Sequence, residues 1–329
     1  MRSLFSSEIE LDFTVAIPTY NGAKRLPEVL AKLKAQIQTE SIRWELLIVD
    51  NNSTDNTAKL IQSYQQDWFE PYPLEYSLET QQGASFARLK AVREAKGKWV
   101  GFLDDDTLPA ENWVAAAYRF GEQHPEAGAY GSQVHGDYEI KPPRNFEKIA
   151  SFFAITERGS HPHRYEPKMK MLPPSAGLVV LKQAWCESVP QKPFLSGRSS
   201  ISILNSEDLE MVLYMQNAGW EIWYNPEMEI YHKIPRQRLQ RKYLLYLMRS
   251  TGLARHYIRM LRFKSWQKPL VFPVGFVRDI YKAVCYFLKH RQDFDRDVVA
   301  ACEMEFLVSS IISPFYLWSQ SLKAWWTSR

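Results

Sequence analysis

Cysteine is scarce in this chain: Cys186, Cys285 and Cys302 stand far apart and are odd in number. That excludes a disulfide scaffold and a CxxC metal knuckle, and points to a reducing compartment. Glycine is also sparse, at 14 residues in 329, which excludes a collagen-like repeat. No window holds the roughly 18 uninterrupted apolar residues of a spanning helix, so a soluble or peripheral protein is expected. The opening MRSLFSSEIELDF carries Glu8, Glu10 and Asp12 ahead of any long apolar run, unlike a secretory signal. GxxxxGK(S/T), a GxGxxG turn after the first strand, GxSxG and HExxH are all missing. P-loop chemistry, hydride transfer and serine hydrolysis therefore fall away.

What is present suits a folded protein. Apolar residues make up 45%, aromatics 14% and charged residues 24%, enough for one large domain or two modest ones and too apolar for disorder. The net charge of +4 conceals an asymmetry. Lys233 to Arg329 hold 18 Lys+Arg against 6 Asp+Glu, which leaves 23 basic and 31 acidic groups in the first 232 residues. We therefore expect two regions, 1–232 and 233–329, facing different partners. An acidic region that handles an anion needs a cation to help, whereas a basic, aromatic-rich tail suits an anionic surface.

The first region reads as alternating strand and helix. Phe13–Ile17, stopped by Pro18, Trp44–Val49, Leu74–Leu78 and Trp99–Leu103 are short apolar strands. Helices are predicted over 27–37, 56–64, 85–95 (closed by Gly97), 109–123 and 206–217. The spacing predicts an α/β fold with a mostly parallel sheet. Residues 128–175 read as irregular with a strand or two. Gly177–Leu181 and Glu221–Tyr224 read as short strands, the latter before a Pro226 turn. Beyond Pro235 the pattern is helical: Leu239, Tyr243, Leu247, Ser250, Leu253, Tyr257 and Leu261 form a stripe, broken by Pro269 and Pro273. Further helices follow over 276–287 and 298–318.

Polar clusters at the carboxyl ends of parallel strands are where such sheets bind ligands. Asp104-Asp105-Asp106 directly follows WVGFL. Adjacent carboxylates repel unless a cation lies between them, and Mg²⁺ or Mn²⁺ uses one or two carboxylates plus substrate phosphates. The plainer alternative is a solvated acidic turn. Asp50 and Asn52 lie in a second such cluster, with Ser53 and Asp55 able to cap the next helix. Pro18-Thr19-Tyr20-Asn21 is a third strand-end loop, a plain turn when taken alone. Arg88, near a helix start, suits a diphosphate or an ordinary surface position. Glu207-Asp208 opens an apolar helix, either as a favourable charge at its N-terminus or as a general base. His232 is either structural or a metal or phosphate partner.

Five segments together, AIPTYN (16–21), LLIVDNNSTDNT (46–57), GASFARLKAVREAKGKWVGFLDDDTLP (83–109), SED (206–208) and GWEIWYNPEMEIYH (219–232), resemble glycosyltransferase family 2. The layout is similar to bacterial members that build exopolysaccharide, of the cyanobacterial hormogonium-polysaccharide type. The resemblance implies a GT-A fold, a nucleotide-binding parallel sheet flanked by helices, with a helical C-terminal region after it. It implies that Pro18, Thr19, Tyr20, Asn21, Asp50, Asn52, Arg88, Asp104, Asp105 and Glu207 surround a nucleotide-sugar donor. Asp106, with Asp104 and His232, would hold Mn²⁺ or Mg²⁺, and Asp208 would be the base. Two positions depart from the pattern: Asn51 stands where aspartate is common, and Leu89 where asparagine is. QNAGW (216–220) lacks the arginine of the processive Q-x-x-R-W signature.

The expected activity is metal-dependent, inverting, non-processive transfer of one sugar from a UDP-, GDP- or dTDP-sugar to a glycan or lipid-linked hydroxyl, in exopolysaccharide or other surface glycan synthesis. The expected location is cytoplasmic, peripheral at the inner face of the membrane, with 233–329 on an anionic surface or packed on the catalytic domain. No nucleic-acid partner is expected. Two other readings are a nucleotide-sugar-binding protein without turnover and a sugar-phosphate nucleotidyltransferase. The latter wants a Gly-rich basic loop after the first strand, where only Gly22, Lys24 and Arg25 stand.

Overall fold

The computed structural model describes residues 11–167, 171–197 and 204–327, with side chains to residue 320. The described residues form two compact units. The first takes in those of Met1–Asp137, Ala154–Ser199 and Glu207–Lys233, and the second those of Tyr138–Phe153, Ser200–Ser206 and Ile234–Arg329. Tyr138–Phe153 thus belongs with the C-terminal helices, although it precedes residue 232 in the chain.

The first unit begins with β1 (Leu11–Thr19), α1 (Leu26–Lys34), β2 (Trp44–Asp50), α2 (Thr57–Gln66), β3 (Leu74–Leu78), α3 (Ala84–Glu94) and β4 (Gly97–Phe102). Strands β1 and β2, β1 and β4, and β2 and β3 pair in parallel. Every residue of β2 is buried, which explains its continuous apolar run. The chain continues through β5 (Thr107–Pro109), α4 (Trp113–Gln123), β6 (Ala127–Tyr138), β7 (His163–Arg164), β8 (Val179–Leu181), α5 (Lys182–Ser188), α6 (Glu207–Asn217) and β9 (Glu221–Ile234). Among the described residues the sheet runs β3-β2-β1-β4-β8-β6-β9-β5, with β7 on β9. The pairings β4–β8, β6–β8, β5–β9 and β7–β9 are antiparallel. The fold is α/β, as the alternating pattern predicts. Its core includes Phe13, Trp44, Trp99, Phe102 and Trp113, all essentially inaccessible. Burying each such side chain contributes roughly 1.5–3 kcal/mol.

Several local expectations are corrected. Pro18 does not stop β1, which runs on to Thr19. The β1–β4 register ends at Ala16 opposite Phe102, so the missing N–H of Pro18 faces a side that has already lost its partner strand. Gly97 opens β4 rather than closing a helix: a Cβ there would lie 2.5 Å from the backbone of Phe13 and Thr14. Pro109 belongs to β5, and α4 starts only at Trp113. Segment 128–175 does hold the expected strand or two, most of the 12-residue β6 and the short β7. Strand β9 spans 14 residues rather than four, because every second residue from Ile222 through Pro226 to Ile234 faces inward. Pro226 is therefore an inward member of the strand, not a turn.

The second unit holds α7 (Arg241–Leu261), α8 (Lys268–His290) and α9 (Val298–Thr327). Leu239 lies in a 3₁₀ turn ahead of α7, and α7 ends by itself at Leu261. Pro269 then starts α8, whose first turns accommodate Pro273. No stretch of this unit is uninterruptedly apolar over 18 residues, but Val298–Gln320 is 23 residues long and, by length and composition only, apolar enough to cross a membrane. Glu303, Glu305 and several serines interrupt the apolar run without making the helix polar on average. The opening decapeptide and the side chains of Trp325 and Trp326 lie outside the described residues.

Candidate active site

Parallel register brings the ends of β1, β2 and β4 together. Thr19 stands opposite Asp50, and the Leu103 amide bonds the Ala16 carbonyl at 3.0 Å as the chain leaves β4 for the aspartates. The loops after β1 and β2 then interlock. The Asn21 amide donates to Ser53 Oγ at 2.8 Å, and Asn21 Oδ1 accepts from the Thr54 amide at 2.8 Å. Asp55 accepts the Thr57 amide at 2.9 Å just ahead of α2, but the N-cap position itself is Asn56, whose side chain makes no capping bond. Tyr20 and Asn52 are exposed.

Asp50 is buried at the floor of these loops. It accepts the Ser53 amide at 2.9 Å and the Tyr76 hydroxyl at 3.1 Å. Partial burial, with the negative charge of Asp50 beside it, pushes the Tyr76 phenol up to about 12. Asn51, the departure from aspartate, holds the start of α3. Its Nδ2 donates to Gln81 O at 2.7 Å and its Oδ1 accepts from the Gly83 amide at 2.7 Å. An aspartate could not supply the first of these bonds.

The three adjacent aspartates diverge. Asp105 turns back under the first loop. Both its oxygens are engaged by Arg25, at 2.7 and 2.8 Å, and Oδ2 also accepts from Thr19 Oγ1 at 2.5 Å. Asp104 and Asp106 face other partners. Asp104 lies 3.2 Å from the Arg88 guanidinium. Asp106 lies 3.6 Å from His232 Nε2, because β5 pairs with β9 so that Thr107 opposes His232. Burial holds the Asp104 carboxyl above the usual carboxylate range, and Asp106 and Asp105 add to this, while Arg88 and His232 oppose it.

Arg88 is not a surface arginine. It is buried on α3, with Asp104 and Glu207 each at 3.2 Å and Ser175 Oγ at 2.8 Å. Ser175 also donates its amide to Asp208 Oδ2 at 3.1 Å, and the Leu209 amide binds Asp208 Oδ1 at 2.8 Å. Arg88, Asp104, Ser175, Glu207 and Asp208 are thus one connected group. Ser175 was hidden in a segment read as irregular. A lone serine carries no sequence signal, and only the loop that returns to α6 reveals it. Asp208 is pushed up to about 6, first by burial and then by Glu207, with Arg88 and the two amides opposing.

Four carboxylates thus share one arginine and one histidine, and Glu207 Oε2 and Arg88 Nε are buried without a hydrogen-bond partner. Among the described residues no three ligating side chains converge as a closed metal site. The oxygen and imidazole donors of Asp106 and His232, with Asp104 beside them, still fit a hard divalent ion whose shell a substrate completes.

The chain is similar to known proteins in sequence and in fold. Over 103 residues the chain is 34% identical to the glycosyltransferase YfnE of Bacillus subtilis, covering 31% of this chain and 25% of that protein. Over 116 residues it is 33% identical to the poly(ribitol-phosphate) beta-N-acetylglucosaminyltransferase TarS of Staphylococcus aureus, covering 35% of this chain and 19% of TarS. The chain thus matches a quarter or less of the length of these two relatives. The mannosyltransferase PcManGT of Pyrobaculum calidifontis, solved with GDP-Man and Mn²⁺, shares the fold: TM-score 0.60 at 17% identity, over 92% of this chain and 87% of that one. TarS 1–349 with UDP aligns over 94% and 92% at 15% identity, with a TM-score of 0.50. The architecture is therefore that of GT-A glycosyltransferases. The family model for glycosyl transferase family 2 matches residues 14–178, just over half of the chain, and it is to this family that the chain belongs.

Proposed function

We propose that the protein transfers one sugar, with inversion, from a nucleotide-diphosphate sugar to a hydroxyl acceptor in surface-glycan synthesis. The observation that carries this is Asp208. It is a carboxyl tuned to about 6 and linked through Ser175 to the Arg88–Asp104 pair at the end of β4. A general base works best when its pKa lies near the operating pH. That PcManGT was solved with GDP-Man and Mn²⁺, and TarS with UDP, supports a nucleotide-sugar donor and a divalent ion.

In this reading Asp50 accepts hydrogen bonds from the base or ribose at the floor of the β1–β2 loops. Thr19 and Asp105 shape the loop beside it, with Pro18, Tyr20, Asn21 and Asn52 around the nucleotide. Arg88 orients Asp104 and Glu207. Mn²⁺ or Mg²⁺ would be held by Asp106 and His232 with Asp104 nearby, and when bound supplies positive charge against the departing diphosphate. A carboxylate oxygen of Asp208 takes the proton from the acceptor hydroxyl. The acceptor oxygen that has given up this proton, not the carboxylate, bonds to the anomeric carbon as the bond to the diphosphate breaks, and the nucleoside diphosphate leaves with the electron pair. The lack of a Q-x-x-R-W arginine supports a single addition rather than polymerisation. The basic second unit supports engagement with an anionic membrane surface at the cytoplasmic face, where lipid-linked acceptors lie.

The test is Asp208→Asn. Sugar transfer should fall about 10²–10⁴-fold while donor binding persists. Full turnover in this variant would remove Asp208 as the base.

A further inference from the structure

Within the second unit, α8 is built with two unlike faces. Gly275, Asp279 and Ala283 are buried. Asp279 is held by Arg259 of α7 at 2.5 Å, and a Cβ on Gly275 would lie 2.8 Å from that same guanidinium. On the opposite side Leu270, Val274, Val277, Tyr281, Val284 and Leu288 are 51–71% exposed. Their spacing alternates four and three, so at about 100° per residue they form a single row along the helix. Core packing does not account for this row, and contiguous exposed apolar surface of this kind marks an interaction site.

The charges beside the row identify what covers it. Arg278, Lys282 and Lys289 are exposed along one flank, whereas Ile280 and Phe287 widen the apolar face on the other. The one acid of α8 is the buried Asp279, so every exposed charge on the helix is positive; Asp293 and Asp295 come only in the loop beyond its end. A second copy docked on this face would bring rows of like charge together. An anionic lipid surface meets both features at once, with acyl chains against the apolar row and phosphates against the basic flank.

Two further observations agree. Trp266, just before α8, and Trp318 of α9 are 68% and 67% exposed, as side chains placed at a headgroup boundary would be. Met260, Phe272, Leu317 and Trp318, with Lys268 among its walls, line an open, mostly apolar groove of about 420 Å³. Helix α9, although long enough to span, is tied down by α7. Ser313 donates to the Leu253 carbonyl at 2.5 Å and accepts the His256 amide at 3.1 Å, and Arg255 donates to Ser310 at 3.2 Å.

We infer that α8 is an in-plane anchor that seats the second unit on an anionic bilayer. This rests on the membrane reading above and assigns it to one helix face. The test is flotation of the full-length chain with vesicles of phosphatidylcholine alone or mixed with phosphatidylglycerol. The wild type should bind the mixed vesicles on the order of a hundredfold better, an advantage that high salt removes. Val277→Asp with Val284→Asp, both on the solvent side and therefore compatible with folding, should abolish flotation without lowering the melting temperature. Arg278→Gln, Lys282→Gln and Lys289→Gln together should reduce binding to that seen with neutral vesicles. Failure of the wild type to float would overturn both the membrane reading and the anchor. Equal flotation of the wild type and the Val277→Asp, Val284→Asp protein would overturn the anchor alone. A vesicle-free dimer that this double substitution dissolves, with no flotation of the wild type, would make the row a contact between copies and sink the proposal.

Discussion

At the scale of single residues, Asp208 is where pH acts most directly. A base must be ionised, so the transfer rate should climb as pH rises through about 6. Stability should move the other way. Because the folded pKa is raised, the carboxyl favours the folded state below its unfolded value of 3.8, and this contribution is lost as pH rises through about 6. The gap of about two pH units corresponds to roughly 3 kcal/mol. Urea melts with chelator present should therefore show Asp208→Asn gaining about this much over the wild type between about pH 4 and about pH 7.5. A constant difference across that range would mean that Asp208 is not strained by ionisation. The aspartates show how far residue identity alone can be read. Asp104, Asp105 and Asp106 are equivalent as letters, yet Arg25 and Thr19 claim the middle one and leave its neighbours to Arg88 and His232. Arg25 lies 80 positions from Asp105, a separation that no local pattern encodes.

At the scale of elements, the site depends on how closely the β1 loop can approach the aspartates. Gly22 is buried against them: a Cβ would come 2.0 Å from Thr19 Oγ1 and 2.8 Å from Asp105 Oδ2. Gly22→Ala should therefore destabilise the protein by about 1–3 kcal/mol and weaken nucleotide binding, as read by denaturant melts and titration with UDP or GDP. Unchanged values would show that the loop gives way freely. Strands β1, β2 and β4 were legible as compact apolar runs, and β3 from its place between two helices of ordinary length. Strands β6 and β9 were not. Half of β9 faces away from the core, and Pro226 within it mimics a turn. The pairing of β5 with β9, which sets His232 beside Asp106, joins residues more than a hundred positions apart.

At the scale of the whole molecule, the described residues form a sheet-based unit and a helical one, whose bounds differ from those at which the charge asymmetry was counted because Tyr138–Phe153 joins the helical unit. A ligand that binds only the folded first unit should raise its apparent stability. UDP or GDP with Mn²⁺ at a hundredfold over Kd should add about 2.7 kcal/mol, and chelation of the metal should remove most of the gain. A gain indifferent to chelator would exclude the ion from donor binding.

The sequence by itself determined the α/β class, the strand ends that carry polar clusters, the family and the basic helical region, because periodicity, turn residues and short motifs are local properties of a chain. Tertiary structure alone decided that Arg88 is buried among acids, that Ser175 joins Arg88 to Asp208, and that one row of α8 is exposed among the described residues. Burial and pKa depend on which distant segments a side chain meets. Spacing along the chain can limit those meetings, but it does not specify them.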